Sequence, residues 1–261
     1  MLAACRPEAR PDRMEDLALR MDREGARRWT VELARHLIPA EPDVYPHFLS
    51  LVREACPPGG VVVDLGCGNE DFLAYLDGWA AELVGVDLEP PERGLYHRYL
   101  QADVQQKIPL PDGYAHVVAC KFLLEHLDDV GSFLREARRI LKPGGRLVLL
   151  TPNILYYPYA VNFLLSRVLP QECRMRAVSL LTGRLRGKVF PVYYRCNTPG
   201  SLKRELEAAG MVVESLESFS DYLVTAVARP LGLVAVLYER AVNRLGLRGA
   251  KGFLLAVARR P

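Results

Sequence analysis

Val61-Val62-Val63-Asp64-Leu65-Gly66-Cys67-Gly68, followed by Leu83-Val84-Gly85-Val86-Asp87, is the stretch on which the fold turns. An apolar strand runs into a glycine turn, a helix follows, and a second strand ends in a carboxylate. That order builds a ligand pocket at the edge of a parallel α/β sheet. Gly66 and Gly68 lack a Cβ, so the backbone turns tightly and a ligand can lie directly against it. Asp87, 19 residues after Gly68, stands at a strand end where its two oxygens can accept from a pair of ribose hydroxyls.

The third position of the turn discriminates between ligands. A dinucleotide fingerprint written G-x-G-x-x-G from Gly66 needs glycine where the chain has Asp71, with Glu70 beside it. Two carboxylates at a helix N-terminus oppose a pyrophosphate but tolerate a ligand bearing ammonium and sulfonium groups. An NAD(P)-dependent oxidoreductase is therefore disfavoured. An isolated Gly-x-Gly is as readily a plain strand-to-helix turn, but here further elements converge on the same edge.

Working outward, strand one covers residues 61 to 65 and leads to a helix from about Glu70. Strand two ends at Asp87, strand three near Gln101-Ala102-Asp103, and strand four spans roughly His116 to Cys120. Val130, Phe133, Leu134, Ala137, Ile140 and Leu141 fall on one face of an amphipathic helix that Asp128 or Asp129 can cap. Lys142-Pro143-Gly144-Gly145 ends it, and residues 146 to 151 form strand five. Thr198-Pro199 starts a helix that Gly210 closes, Met211 to Glu217 reads as strand six and Gly252 to Ala258 as strand seven. Residues 1 to about 55 mix eight arginines with seven acids before residue 36 and read as helices broken near Gly25. The expected organisation is an N-terminal helical extension or lid over 1–56 and an α/β domain over 57–261, with inserts at 152–197 and 218–250.

With 261 residues, half of them hydrophobic and a quarter charged, the chain is of ordinary globular composition. A net charge of +3 gives no argument for nucleic acid as a partner. Arginine outnumbers lysine 28 to 6, so local arginine excess is discounted. The cysteines at 5, 56, 67, 120, 173 and 196 form no C-x-x-C pair and no zinc-like spacing, so free thiols in a reducing cytoplasm are expected and no metal is implied. Arg6, Glu8, Arg10 and Asp12 stand where a signal peptide needs apolar residues, which argues against export.

Asp64-Leu65-Gly66-Cys67-Gly68, the acid Asp87, Gln101-Ala102-Asp103, Leu124-Glu125-His126-Leu127 and Leu141-Lys142-Pro143-Gly144-Gly145, in this order, resemble the class I S-adenosylmethionine-dependent methyltransferases that act on small molecules. The likeness is close from Val61 to about Asn153. The family pattern D-x-G-x-G-x-G is incomplete, because Glu70 replaces the last glycine. The resemblance implies a Rossmann-like seven-stranded, mostly parallel sheet with helices on both faces and an antiparallel last strand. It implies S-adenosyl-L-methionine as cofactor, with Asp64, Gly66, Cys67 and Gly68 along its methionine part, Asp87 and Leu88 at the ribose, Asp103 and Val104 at the adenine, and Cys120 near the sulfonium. Lys121 beside a sulfonium would repel it unless its amine faces solvent.

Methyl transfer from a sulfonium is an in-line displacement on an activated carbon, so alignment in a dry pocket is the main requirement. A base is needed only if the acceptor must lose a proton. His126 is the candidate base, although the Glu125-His126 pair reads first as local structure at a helix start. The first insert holds seven arginines or lysines against the single acid Glu172 and ends in Tyr193-Tyr194-Arg195, a trio that could hold an acidic, glycosidic or phosphorylated acceptor, or could equally be a solvated loop. The stretch Leu231 to Leu245 with Arg240, Arg244, Arg248 and Lys251 reads as a core-packed helix first and as a face against an anionic membrane near a lipid-linked acceptor second. The expected activity is methyl transfer to a small-molecule acceptor, oxygen ahead of nitrogen or carbon. A non-catalytic S-adenosylmethionine-binding module is the alternative, and the oligomeric state is not legible.

Overall fold

The computed structural model describes residues 13–69, 76–89, 96–168 and 191–261, with 13–21 and Ser166 described by backbone alone. Glu70, Asp71 and the start of the helix expected there lie outside the described residues, as does the middle of the first insert.

Strands β1 (Val61–Leu65), β2 (Glu82–Asp87), β3 (Arg98–Gln101), β4 (Ala115–Lys121), β5 (Leu141–Pro152), β6 (Val212–Phe219) and β7 (Phe253–Arg259) form one sheet in the order β3-β2-β1-β4-β5-β7-β6. The pairs from β3 across to β5 are parallel. β7 runs antiparallel to both neighbours, β5 and β6. This is the seven-stranded, mostly parallel arrangement with an antiparallel last strand that the sequence suggests. β1, β2 and β4 are buried on both faces, which explains their unbroken apolar runs.

Helices cover both faces. On one side lie α3 (Val130–Ile140) and α5 (Pro199–Ala208), whose Phe133, Leu134, Ile140 and Leu202 pack with Val63, Val118 and Leu149. On the other, α2 (Val44–Ala55) sets Phe48 and Val52 against Val62, Val117 and Val148. Their ends follow local chemistry: Asp129 caps α3 through the Ser132 N–H, and Thr198 with Ser201 forms a capping box ahead of Pro199.

One expectation is corrected. α1 (Arg13–Leu37) runs unbroken through Gly25. A lone helical glycine costs only about 1 kcal/mol relative to alanine, and α1 regains it by packing along α6 (Arg229–Arg244). Thr30 and Ala34 are buried there, and Gly232 of α6 is required, because a Cβ would sit 2.0 Å from Thr30 Oγ1. α6 is thus packed on one face, by Gly232, Ala235, Val236, Glu239 and Val242. α4 (Tyr157–Val168) follows β5. Among the described residues no helix is long and apolar enough to cross a membrane.

Candidate active site

The parallel strands deliver their carboxyl ends to one edge. After β1 the chain turns through Gly66 and Gly68, with φ of 77° and 53°, values that side-chain-bearing residues rarely adopt. The turn is pinned to β2 by Gly66 N–H donating to Val86 O at 2.8 Å. A Cβ on Gly66 would lie 2.9 Å from Leu123 Cδ1, so the turn also fits against the segment after β4.

Asp87 ends β2 and faces this turn. Its Oδ2 accepts from Gly68 N–H at 2.8 Å and its Oδ1 from Glu89 N–H at 3.3 Å. Two backbone donors fix the carboxylate, and each oxygen retains lone-pair capacity for a ligand hydroxyl. Asp64 is buried and accepts from Tyr96 Oη at 2.6 Å. Burial and the nearby Asp64 and Asp87 push the Cys67 thiol up to about 12, so it is inert beside the turn. Leu88 is exposed. Ala102 N–H donates to Asp87 O at 2.9 Å, which brings Asp103 next to Asp87; its Oδ1 accepts from Gln105 N–H. Val104 is buried in the core. Cys120 is fully buried among core residues, so what it offers at this edge is backbone. The Lys121 ammonium lies 5.8 Å from the Phe122 ring centroid.

His126 and the trio at 193–195 meet at the turn Leu124–His126. His126 Nδ1 donates to Pro191 O at 2.7 Å, and Tyr193 and Tyr194 N–H both donate to Glu125 O. Glu125 is buried; Asn197 donates to Thr151 Oγ1, and that hydroxyl donates to Glu125 Oε2. Burial raises the Glu125 carboxyl to about 7. Tyr193 and Arg195 are exposed, while Tyr194, at φ 49°, packs edge-on against Phe163.

Sequence reasoning missed a cavity of about 470 Å³ under the end of α1. Val31, Ala34, Ile38, Pro39, Tyr45 and Phe253 give it an apolar wall, and Glu41, Ser220 and Asp221 supply polar groups. Phe253 pairs with Pro152 at the end of β5 and with Phe219 at the end of β6, so the cavity opens at the same edge of the sheet. Tyr45, Phe122 and Phe253 stack edge-to-face or tilted at 5.5 to 6.3 Å, linking the cavity wall to the residue after β4. Asp221 is raised to about 7 by burial and accepts from the Tyr159 hydroxyl. Ser220-Asp221 immediately after strand six was the available signal, since it marks another carboxyl end of the sheet.

Comparison with known proteins follows the same outline. Residues 63–149 match the family described as "Methyltransferase domain". Over 83 residues the chain is 36% identical to a ubiquinone/menaquinone biosynthesis C-methyltransferase of Caulobacter sp. (strain K31), covering 32% of each chain. Over 105 residues it is 32% identical to a ubiquinone biosynthesis O-methyltransferase of Pseudomonas paraeruginosa, covering 36% of this chain and 45% of the other. The chain thus matches less than half the length of these curated relatives. An S-adenosylmethionine-dependent methyltransferase from Mesorhizobium loti shares the fold, with a TM-score of 0.51 at 23% identity over 82% of this chain and 96% of that one.

Proposed function

Because residues 63–149 carry a methyltransferase domain on a class I fold, we propose that the chain moves a methyl group from S-adenosyl-L-methionine to a small-molecule acceptor. The observation that carries this is the glycine turn clasped to Asp87. Open space over the bare backbone at Gly68 leaves room for the methionine part, Asp87 keeps acceptor capacity for the ribose, and Asp103 stands next along the edge for the adenine amino group. The donor supplies an already activated methyl carbon. The chain's own contribution is to orient it and exclude water.

The acceptor sits in the cavity under α1, whose last turns and following loop act as its lid. An apolar wall with a few converging polar groups suits a small, largely apolar ring or chain carrying a hydroxyl. Asp221, held near 7 and oriented by Tyr159, takes the proton from that hydroxyl, which makes oxygen the methylated atom. His126 is here a positioning residue, because it lies outside the lining of this cavity and its Nδ1–H holds Pro191 O. Tyr193-Tyr194-Arg195 do not line this cavity, and Tyr193 and Tyr194 are held instead to Glu125 O. A cytoplasmic setting agrees with the free, buried thiols of Cys56, Cys67, Cys120 and Cys196.

The test is incubation of purified protein with methyl-radiolabelled S-adenosylmethionine and a cell extract, followed by fractionation. Label in an organic-soluble small molecule supports the reading. If calorimetry detects donor binding and no fraction acquires label, the chain is a donor-binding module instead.

A further inference from the structure

We propose that the outer faces of α4 and α6 form one docking surface for an anionic lipid bilayer. Eleven of the sixteen large apolar side chains exposed among the described residues lie in just two segments, five in 155–168 and six in 231–247. On α4 they recur as Val161, Leu164, Leu165 and Val168, the i, i+3, i+4, i+7 spacing of a single helical stripe. That stripe points outward, with Leu164 and Val168 64% and 75% exposed. An amphipathic helix normally turns such a stripe to the core, and the inversion marks a face that meets something apolar.

α6 continues the surface. Its packed face is occupied by α1, and Leu231, Leu233, Val234 and Leu237, with Leu245 just past its end, remain exposed. The two helices touch where the Tyr157 and Tyr238 rings meet, 4.9 Å between centroids. Tyr238 lies one turn from Val234 and two turns from Leu245, so the exposed stripes of both helices run out from a shared tyrosine pair.

Charge decides what covers it. Residues 153–168 contain one charged side chain, Arg167, and residues 222–250 contain Arg229, Arg240, Arg244, Arg248 and a single acid, Glu239. Glu239 is fully buried and engaged with Ser220, so every exposed charge that these two segments themselves contribute is positive. A second copy docked face to face would set arginine against arginine. An anionic bilayer complements both features, taking leucine and valine side chains into the acyl boundary while arginines meet the head groups.

The docking surface stands independently of the methyl-transfer reading. The protein is sedimented with phosphatidylglycerol–phosphatidylcholine vesicles and with pure phosphatidylcholine vesicles, at low and high salt. Pelleting is expected with the anionic vesicles, reduced at high salt, and lowered at least about tenfold in the triple variant Leu164→Glu, Val234→Glu, Leu237→Glu. The variant's circular dichroism and affinity for S-adenosylmethionine should equal those of the parent, since all three positions are on the surface. Absence of pelleting at low salt overturns the proposal, as does equal pelleting of the triple variant. Sedimentation velocity without vesicles showing a dimer that the triple variant disperses assigns the face to a second copy and also overturns it. Loss of donor binding in the parent with pelleting intact would remove the enzymatic reading and leave the docking surface standing.

Discussion

Gly68 and Asp87 are joined by a hydrogen bond of 2.8 Å from backbone N–H to carboxylate, across 19 residues of sequence. The bond sets the distance between a turn that can admit a ligand and an acid that can hold one. It also means that Asp87 supports the shape of the turn even when nothing is bound.

Replacing Asp87 with alanine should therefore weaken S-adenosylmethionine binding about ten- to hundredfold, because hydrogen bonds to a charged group contribute about 1.5–3 kcal/mol. Isothermal calorimetry measures it. Unchanged affinity would remove Asp87 from the donor site.

Gly66→Ala combines two penalties. Its φ of 77° costs a residue with a Cβ about 1–2 kcal/mol, and the new methyl meets Leu123 Cδ1 at 2.9 Å. Urea unfolding should show a loss of a few kcal/mol by these two routes together. Adding Leu123→Ala relieves the steric part and leaves the backbone part, so the double variant should not be as stable as expected from removing a clash alone.

Asp221→Asn should lower turnover of the labelled fraction by about 10²–10⁴, the range for a lost general base, and leave donor affinity unchanged. A base is active when deprotonated, so with its carboxyl at about 7 parental activity should rise with pH through that value and then level off. The variant should lack this limb. A parental profile flat from pH 6 to about 8 would exclude Asp221 from proton transfer.

Stability should follow the opposite slope. Burial raises the carboxyls of Glu125, Asp221 and Glu239 to about 7, above the ordinary carboxylate range. The folded chain then binds more protons than the unfolded chain between about 4.5 and 7, and stability falls as pH rises through that window. Ser220 Oγ lies 2.9 Å from Glu41 Oε2 and 2.8 Å from Glu239 Oε2, and one hydroxyl proton cannot serve both, so a protonated Glu239 donates to Ser220 while Ser220 donates to Glu41. Differential scanning calorimetry should show a higher Tm near pH 5.5 than near pH 8, at about 2–4 °C per kcal/mol for a chain of this size. Glu239→Gln, which keeps a donor toward Ser220, should flatten part of that slope.

The parts of the fold visible in the sequence are those that residue type and local spacing betray. The caps at Asp129 and Thr198 and the stop at Gly210 depend on contacts within a few residues, and the glycine turn and strand-end acids show through their spacing although distant residues hold them. The break expected at Gly25 failed because tertiary packing of α1 on α6 outweighs one glycine's propensity. The cavity was hidden for a related reason. Glu41 meets Lys251 across 210 positions, and Tyr159 meets Asp221 across 62, pairings that no local periodicity encodes. Tyr193 to Arg195 drew attention as an aromatic and basic cluster, yet within it only Tyr194 is packed inward.

β7 lies between β5 and β6, and its residues arrive some hundred positions after those of β5. β6 has no other strand to pair with, so it remains outside the sheet until β7 has threaded into place. Pairing in this half of the molecule requires long-range closure, of the kind that slows folding, and Phe253 at the start of β7, part of the wall of the cavity under α1, comes into place with it. Without β7 in place, β6 has no sheet partner and the cavity under α1 lacks one of its walls.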